Sequence, residues 1–186
     1  HPQLPNFFGH ALDDLTLDDV YGAVNIVQPS LIRVEADEAT YNLHVMVRFE
    51  LERALLNGDL EVADLPDAWN RLYKDYLDVD VPDDARGCLQ DVHWSSGAIG
   101  YFPTYTLGNL YCAQLFDTVR RELPDLDDQF RRGEFTPLRH WLNDHVHAHG
   151  RTWSAAELCE HVTGQPLSAD PLLHHLEQKL RPIYGL

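Results

Sequence analysis

The sequence predicts an all-α protein, a single multi-helix unit over residues 1–186. Apolar residues recur at three- and four-residue spacing in one segment after another. Helix punctuation brackets those segments: Ser, Thr or Asp before the first turn, Pro within it, Gly after the last. No stretch sustains period-2 alternation with β-branched residues, so no substantial sheet is expected.

The elements follow in order. Between Pro29 and Asn57, the residues Leu43, Met46, Val47, Leu51, Ala54 and Leu55 mark one face of a helix, and Gly58 supplies its stop. Asp64 fits the cap of the next helix, with Pro66 in its first turn and Ala68, Trp69, Leu72, Tyr73, Tyr76 and Leu77 as its apolar side. A long helix is expected from Pro103 to Leu123. Thr136-Pro137 and Asp170-Pro171 each place a capping side chain before a first-turn proline. Ser154-Ala155-Ala156-Glu157 reads as a capping box, and Gly164 closes the helix it opens. Repeats, low-complexity runs and long linkers are absent.

Composition narrows the function classes. A hydrophobic fraction of 44% suits a globular chain, and a formal net charge of -16 argues against a nucleic-acid partner, which needs clustered Lys and Arg. The acidity is read as a solubility feature. Cys88, Cys112 and Cys159 are odd in number and show no paired spacing, so a reducing cytoplasm is the expected location. No apolar run approaches a membrane span of roughly 20 residues, and no membrane partner is expected. The chain starts at His1 and its only methionine is Met46, so the translated product is expected to be longer.

Two windows concentrate site-capable groups: Ile32 to Asp37 and Gly87 to Trp94. In a helix Arg33 and Asp37 would share a face and form a simple ion pair. Equally, Arg33 would present its planar fork to a carboxylate such as a peptide C-terminus, with Asp37 holding the guanidinium from behind. Spacing admits both readings. In the second window His93 beside Asp91 is either a structural pair or a donor to an oxyanion with its tautomer fixed by a carboxylate. Gly87, Gly97 and Gly100 would let the backbone approach a ligand. Tyr101 and Tyr105 are core aromatics or additional phenolic donors. His145 and His149 have metal-ligand spacing and would share a helix face, but no Glu stands where HExxH places its base and no third ligand is identifiable. The His174-His175 pair is weaker still. No metal site is assigned to this chain.

Ile32-Arg33-Val34-Glu35-Ala36-Asp37 matches the pattern IRxxAD, and Gly87 to Trp94 matches GxxQDxHW. Both patterns are signatures of the carboxypeptidase Taq family of zinc-dependent carboxypeptidases, which the chain resembles over essentially its whole length. The stretches Ala36 to His44, Gly100 to Gly108 and Ile183 to Leu186 are similar to the same family. Its HPF, DxRxT, HExxH and HES/GQ motifs do not occur here, and His1-Pro2-Gln3 is not the HPF motif. The resemblance therefore implies the C-terminal half of a larger, all-helical metallopeptidase with a deep channel.

In that family, zinc polarises the scissile carbonyl and the Glu of HExxH activates water. The resemblance implies zinc for the full-length protein and none for this chain. It implies Arg33, Asp37, Gln90, Asp91 and Trp94 as the substrate-binding set, with Arg33 gripping the peptide C-terminus. His93, with Tyr105 or Tyr101, is implied as a transition-state donor in a catalytic set that is incomplete here. Three readings stand in order: a carboxypeptidase portion inactive alone; a stand-alone, non-catalytic relative that binds peptides or assembles with an intact carboxypeptidase; and a metal enzyme building a new site from its eleven histidines. A homodimer, or association with the missing N-terminal half, is expected from the first two.

Overall fold

The computed structural model describes residues 5–12 and 14–186. His1, Pro2 and Gln3, compared above with the HPF motif, lie outside the described residues. Among those described the regular structure is entirely helical: α1 (Pro5–Phe8), α2 (Leu17–Val24), α3 (Tyr41–Asn57), α4 (Leu65–Leu77), α5 (Pro103–Glu122), α6 (Leu126–Arg131), α7 (Thr136–His145), α8 (Ala155–Thr163) and α9 (Asp170–Tyr184). Short 3-10 turns fall between them, including Arg33–Glu35 and Val62–Asp64. The chain divides into two compact units, His1–Phe102 with Lys179–Leu186, and Pro103–Gln178.

The first unit is built on the packing of α3 against α4. Val47 and Leu51 from α3 meet Ala68, Trp69, Tyr73 and Leu77 from α4, with Cys88 from the loop beyond. The α4 residues follow the three- and four-residue spacing that marked its apolar side. Gly58 ends α3 at φ 77° as the expected left-handed cap. Asp78 ends α4 in the same conformation at φ 52° without being glycine, a position the sequence pattern did not mark. In the C-terminal stretch of this unit, the Tyr184 hydroxyl accepts from the Val27 N–H at 2.6 Å.

Several boundaries differ from expectation. The segment 29–40 is not continuous with α3, because only Arg33–Glu35 forms a helical turn there. Asp64 stands at the N-cap of α4 but its side chain makes no capping bond; the preceding 3-10 turn already gives it helical φ and ψ in place of the extended backbone a capping residue adopts. Thr136 likewise sits inside α7, with Phe135 at the cap. Conversely, Thr16 and Asp19 form a capping box at α2 that the sequence reading passed over.

The second unit has its own core of Val119, Leu126 and Trp141, with Phe116, Phe130, Leu138 and Val162 packed against it. The Trp141 indole N–H donates to Glu122 at 2.6 Å. The Ser154–Glu157 capping box forms as expected, and Gly164 closes α8 at φ 74°.

Candidate functional site

The site grows from the buried face of α3. His44, Val45, Val47, Arg48, Leu51 and Glu52 are buried there, whereas Met46, expected on the inner face, is 43% exposed. His44, Arg48 and Glu52 stand one turn apart from each other, so they form a polar ridge inside an otherwise apolar stripe. A buried charge must be paired, and Arg48, at 0% exposure, is paired thoroughly. Its Nε donates to Asp91 Oδ2 at 2.7 Å and its Nη2 to Gln90 Oε1 at 2.9 Å. Its Nη1 donates to the His44 carbonyl at 2.7 Å and to the Tyr73 hydroxyl at 3.2 Å. The guanidinium carbon lies 4.6 Å from the Trp69 ring centre and 5.3 Å from that of Phe102.

Arg33 approaches the same carboxylate from the 3-10 turn. Its Nη2 donates to Asp91 Oδ1 at 2.6 Å and its Nε at 3.2 Å, while Nη1 donates to the Tyr41 hydroxyl at 2.9 Å. Its backbone N–H donates to Gln90 Oε1 at 3.0 Å. Gln90 in turn donates to the carbonyls of Leu31 and Arg86. Two guanidiniums thus converge on the Asp91 carboxylate, and the Gln90 amide joins the Arg48 guanidinium to the Arg33 backbone, both groups supplied by the Gly87–Trp94 window. Gly87 is needed where the chain folds back on itself: a Cβ there would lie 2.8 Å from Val81 Cγ1 and 3.0 Å from the Asp83 carbonyl. Its close approach is to its own chain.

The electrostatics follow from this crowding. Burial works against ionising Asp91, yet the Arg33 hydrogen bond and the Arg48 charge outweigh it and hold the carboxyl below its ordinary range. Burial also opposes the Arg33 charge, and Asp91 more than offsets it. For His44, burial and then the Arg48 and Arg33 charges all disfavour the imidazolium, lowering its pKa from 6.5 to about 4. The Tyr73 hydroxyl accepts from Arg48 and therefore directs its own proton to His44 Nδ1, 3.1 Å away. The fitting tautomer is a neutral ring protonated at Nε2. That Nε2 is buried without a hydrogen-bond partner among the described residues.

The other expected site residues are placed as follows. Arg33 pairs with Asp91, not with Asp37. The Asp37 carboxylate instead accepts from the backbone N–H groups of Gln28, Ala39 and Thr40 and from the Thr40 hydroxyl, ordering the turn before α3. Trp94 donates its indole N–H to Glu52 Oε1 at 2.8 Å, and the Gly100 N–H reaches the same oxygen at 3.1 Å. The His93 ring packs 4.4 Å from Phe102 and 5.7 Å from Tyr101, centre to centre, with its Nδ1 3.9 Å from Asp91 Oδ1. Tyr105 belongs to α5, in the second unit. His145 and His149 do not share a helix face: α7 ends at His145, whose ring stacks on Trp141, and His149 lies in the following 3-10 turn against Trp153. His174 and His175 lie on α9. Among the described residues, no group of three or more His, Cys, Asp or Glu side chains is set to hold a metal ion.

Sequence reasoning missed Arg48, His44, Tyr73, Tyr41 and Glu52. The available signal was the four-residue spacing of His44, Arg48 and Glu52 between Val45, Val47 and Leu51.

Comparison with known proteins places this geometry in context. The model of the Carboxypeptidase Taq (M32) metallopeptidase family matches residues 1–180. The chain belongs to the M32 family. Thermostable carboxypeptidase 1 of Thermus thermophilus is 52% identical over 175 residues, a match covering 94% of this M32 chain and 34% of that protein. Carboxypeptidase 1 of Bacillus subtilis is 44% identical over 173 residues, covering 93% and 34% respectively. The crystal structure of the M32 carboxypeptidase from Deinococcus radiodurans R1 superposes with a TM-score of 0.96 at 45% identity, covering 100% of this chain and 37% of that one. The chain thus spans about a third of the length of the M32 relatives it matches. Among the described residues, no helix is long and apolar enough to cross a membrane.

Proposed function

We propose that this chain forms the substrate-gripping C-terminal portion of a metallocarboxypeptidase, with Arg33 receiving the terminal carboxylate of a peptide. The observation that carries the reading is the convergence of Arg33 and Arg48 on the single carboxylate of Asp91. Two guanidiniums gathered at one carboxylate concentrate positive charge, and the planar fork of Arg33 matches the geometry of a substrate carboxylate. Glu52, one turn from Arg48, is engaged with Trp94 and Gly100. A peptide lacking a free C-terminus would leave that charge uncompensated, which is the basis of exopeptidase selectivity. His93, beside Phe102 and Tyr101, is the proposed donor to the developing oxyanion, and the Tyr101 phenol is its proposed companion.

The 186 residues contain no HExxH. In the whole protein zinc supplies the Lewis acid; in this portion the proposed roles are binding and orientation, and the chain alone is proposed not to hydrolyse peptides. The test incubates the purified chain with a short peptide and its C-terminal amide, with added zinc or cobalt and in parallel with chelator. Expected are tighter binding of the free acid, by about tenfold for one charge-assisted contact, and no amino-acid release. Equal binding of acid and amide would remove Arg33 from the proposed role. Metal-dependent release, lost in Arg33→Ala, would overturn the proposed inactivity.

A further inference from the structure

We infer that Arg48 is a positioning residue for Arg33, holding the substrate-facing guanidinium in place through Asp91 and Gln90; the inference rests on the reading of Arg33 as the carboxylate grip. Arg48 is 0% exposed and Arg33 5%, so of the two only Arg33 keeps any surface for a peptide to reach. Every outward contact it makes towards the Gly87–Trp94 window falls on a group that also holds Arg33. Asp91 Oδ2 takes the Arg48 Nε at 2.7 Å and the Arg33 Nε at 3.3 Å, while Oδ1 takes the Arg33 Nη2 at 2.6 Å. Gln90 Oε1 takes the Arg33 backbone N–H at 3.0 Å and the Arg48 Nη2 at 2.9 Å. Arg48 therefore fixes the carboxylate plane that orients the Arg33 side chain and the amide that anchors the Arg33 backbone.

The other side of Arg48 is immobilised by the core. The His44 carbonyl and Tyr73 hydroxyl hold Nη1, and the Trp69 and Phe102 rings flank the guanidinium. Phe102 is also 5.7 Å from the Arg33 guanidinium carbon, so the two cations pack against one ring. Lys would keep the charge but would lose the planar fork that reaches Asp91 and Gln90 together.

The test compares wild type with Arg48→Lys and Arg48→Gln in the full chain, with thermal melting to establish that each variant is folded. Two readouts are independent of mere folding. One is the solvent exchange rate of the Arg33 Nε–H, followed by NMR without ligand. The other is the affinity ratio for trialanine over trialanine amide. Arg48→Gln is expected to speed the Arg33 Nε–H exchange and to lower the acid-over-amide ratio, each by about tenfold, the loss of one charge-assisted contact. Arg48→Lys is expected to stay folded and to show the same direction in both. Wild-type exchange and wild-type ratio in a folded Arg48→Gln overturns the inference; if that variant does not fold, the same result in Arg48→Lys does so. A wild type that fails to prefer acid over amide defeats the Arg33 reading instead, and the ligand-free exchange rate still decides whether Arg48 positions Arg33.

Discussion

Protonating His44 would set two donors, its own Nδ1–H and the Arg48 Nη1, against one Tyr73 oxygen in a site without water contact. The folded protein therefore keeps this ring neutral while an unfolded chain protonates it. As pH falls from 6.5, where the unfolded His44 begins to bind a proton, to about 4, where the folded one does, stability is lost. The full loss is about 3 kcal/mol at the conversion of roughly 1.4 kcal/mol per pKa unit. Urea denaturation at pH 7 and pH 4.5 is expected to show this slope, and His44→Gln is expected to flatten it; an unchanged slope in that variant would place the acid sensitivity elsewhere. Asp91→Asn is expected to cost about 3–5 kcal/mol, because it strands two buried guanidiniums. An unfolding free energy within about 1 kcal/mol of wild type would mean the pair relaxes into solvent. At this scale the sequence was partly legible. Arg33, Gln90 and Asp91 stood out because polar groups crowd two short windows. The partner of Arg33 did not, since four-residue spacing suggested Asp37 whereas the contact with Asp91 is set by tertiary folding. Arg48 was hidden because a cation beside Val47 on an apolar face reads as the edge of a stripe.

Helix positions were far more legible than their entry points. α4 carries Pro66 in its first turn, α5 runs from Pro103 to within one residue of the expected Leu123, and Gly58 ends α3, because those signals act within a turn or two of the backbone. The caps were less so: whether Asp64 or Thr136 caps depends on the φ and ψ of one residue, which the neighbouring turn decides. α3 was extended too far upstream because 29–40 carries helix-compatible residues whose hydrogen bonds go to Asp37 and Gln90 instead. The Gly87 turn makes a sharp prediction for the loop that carries Gln90 and Asp91. A Cβ at this position meets backbone as well as side chain, so Gly87→Ala is expected to destabilise by about 1–3 kcal/mol. Thermal melting checks it, and a variant melting at the wild-type temperature would show that the turn shifts without penalty.

On the scale of the whole chain, the apolar side chains beside the network matter. Val34, Leu89 and Val92 flank Arg33, Gln90 and Asp91 in sequence, and each is exposed. Large apolar groups left in water tend to recruit a partner. Self-association that rises with concentration is therefore expected in light scattering, relieved by Leu89→Asp with Val92→Asp; a monomer at every concentration would refute it. The connectivity of the arginine site has a kinetic consequence. The Arg33–Asp91 contact joins residues 58 apart, and α3 and α4 lie between them. Closing so long a loop is unfavourable until the intervening pair has packed. The site should therefore assemble after the folding transition state and be the first part of its unit to come undone. Asp91→Asn is accordingly expected to leave the refolding rate near wild type and to express its whole destabilisation as faster unfolding.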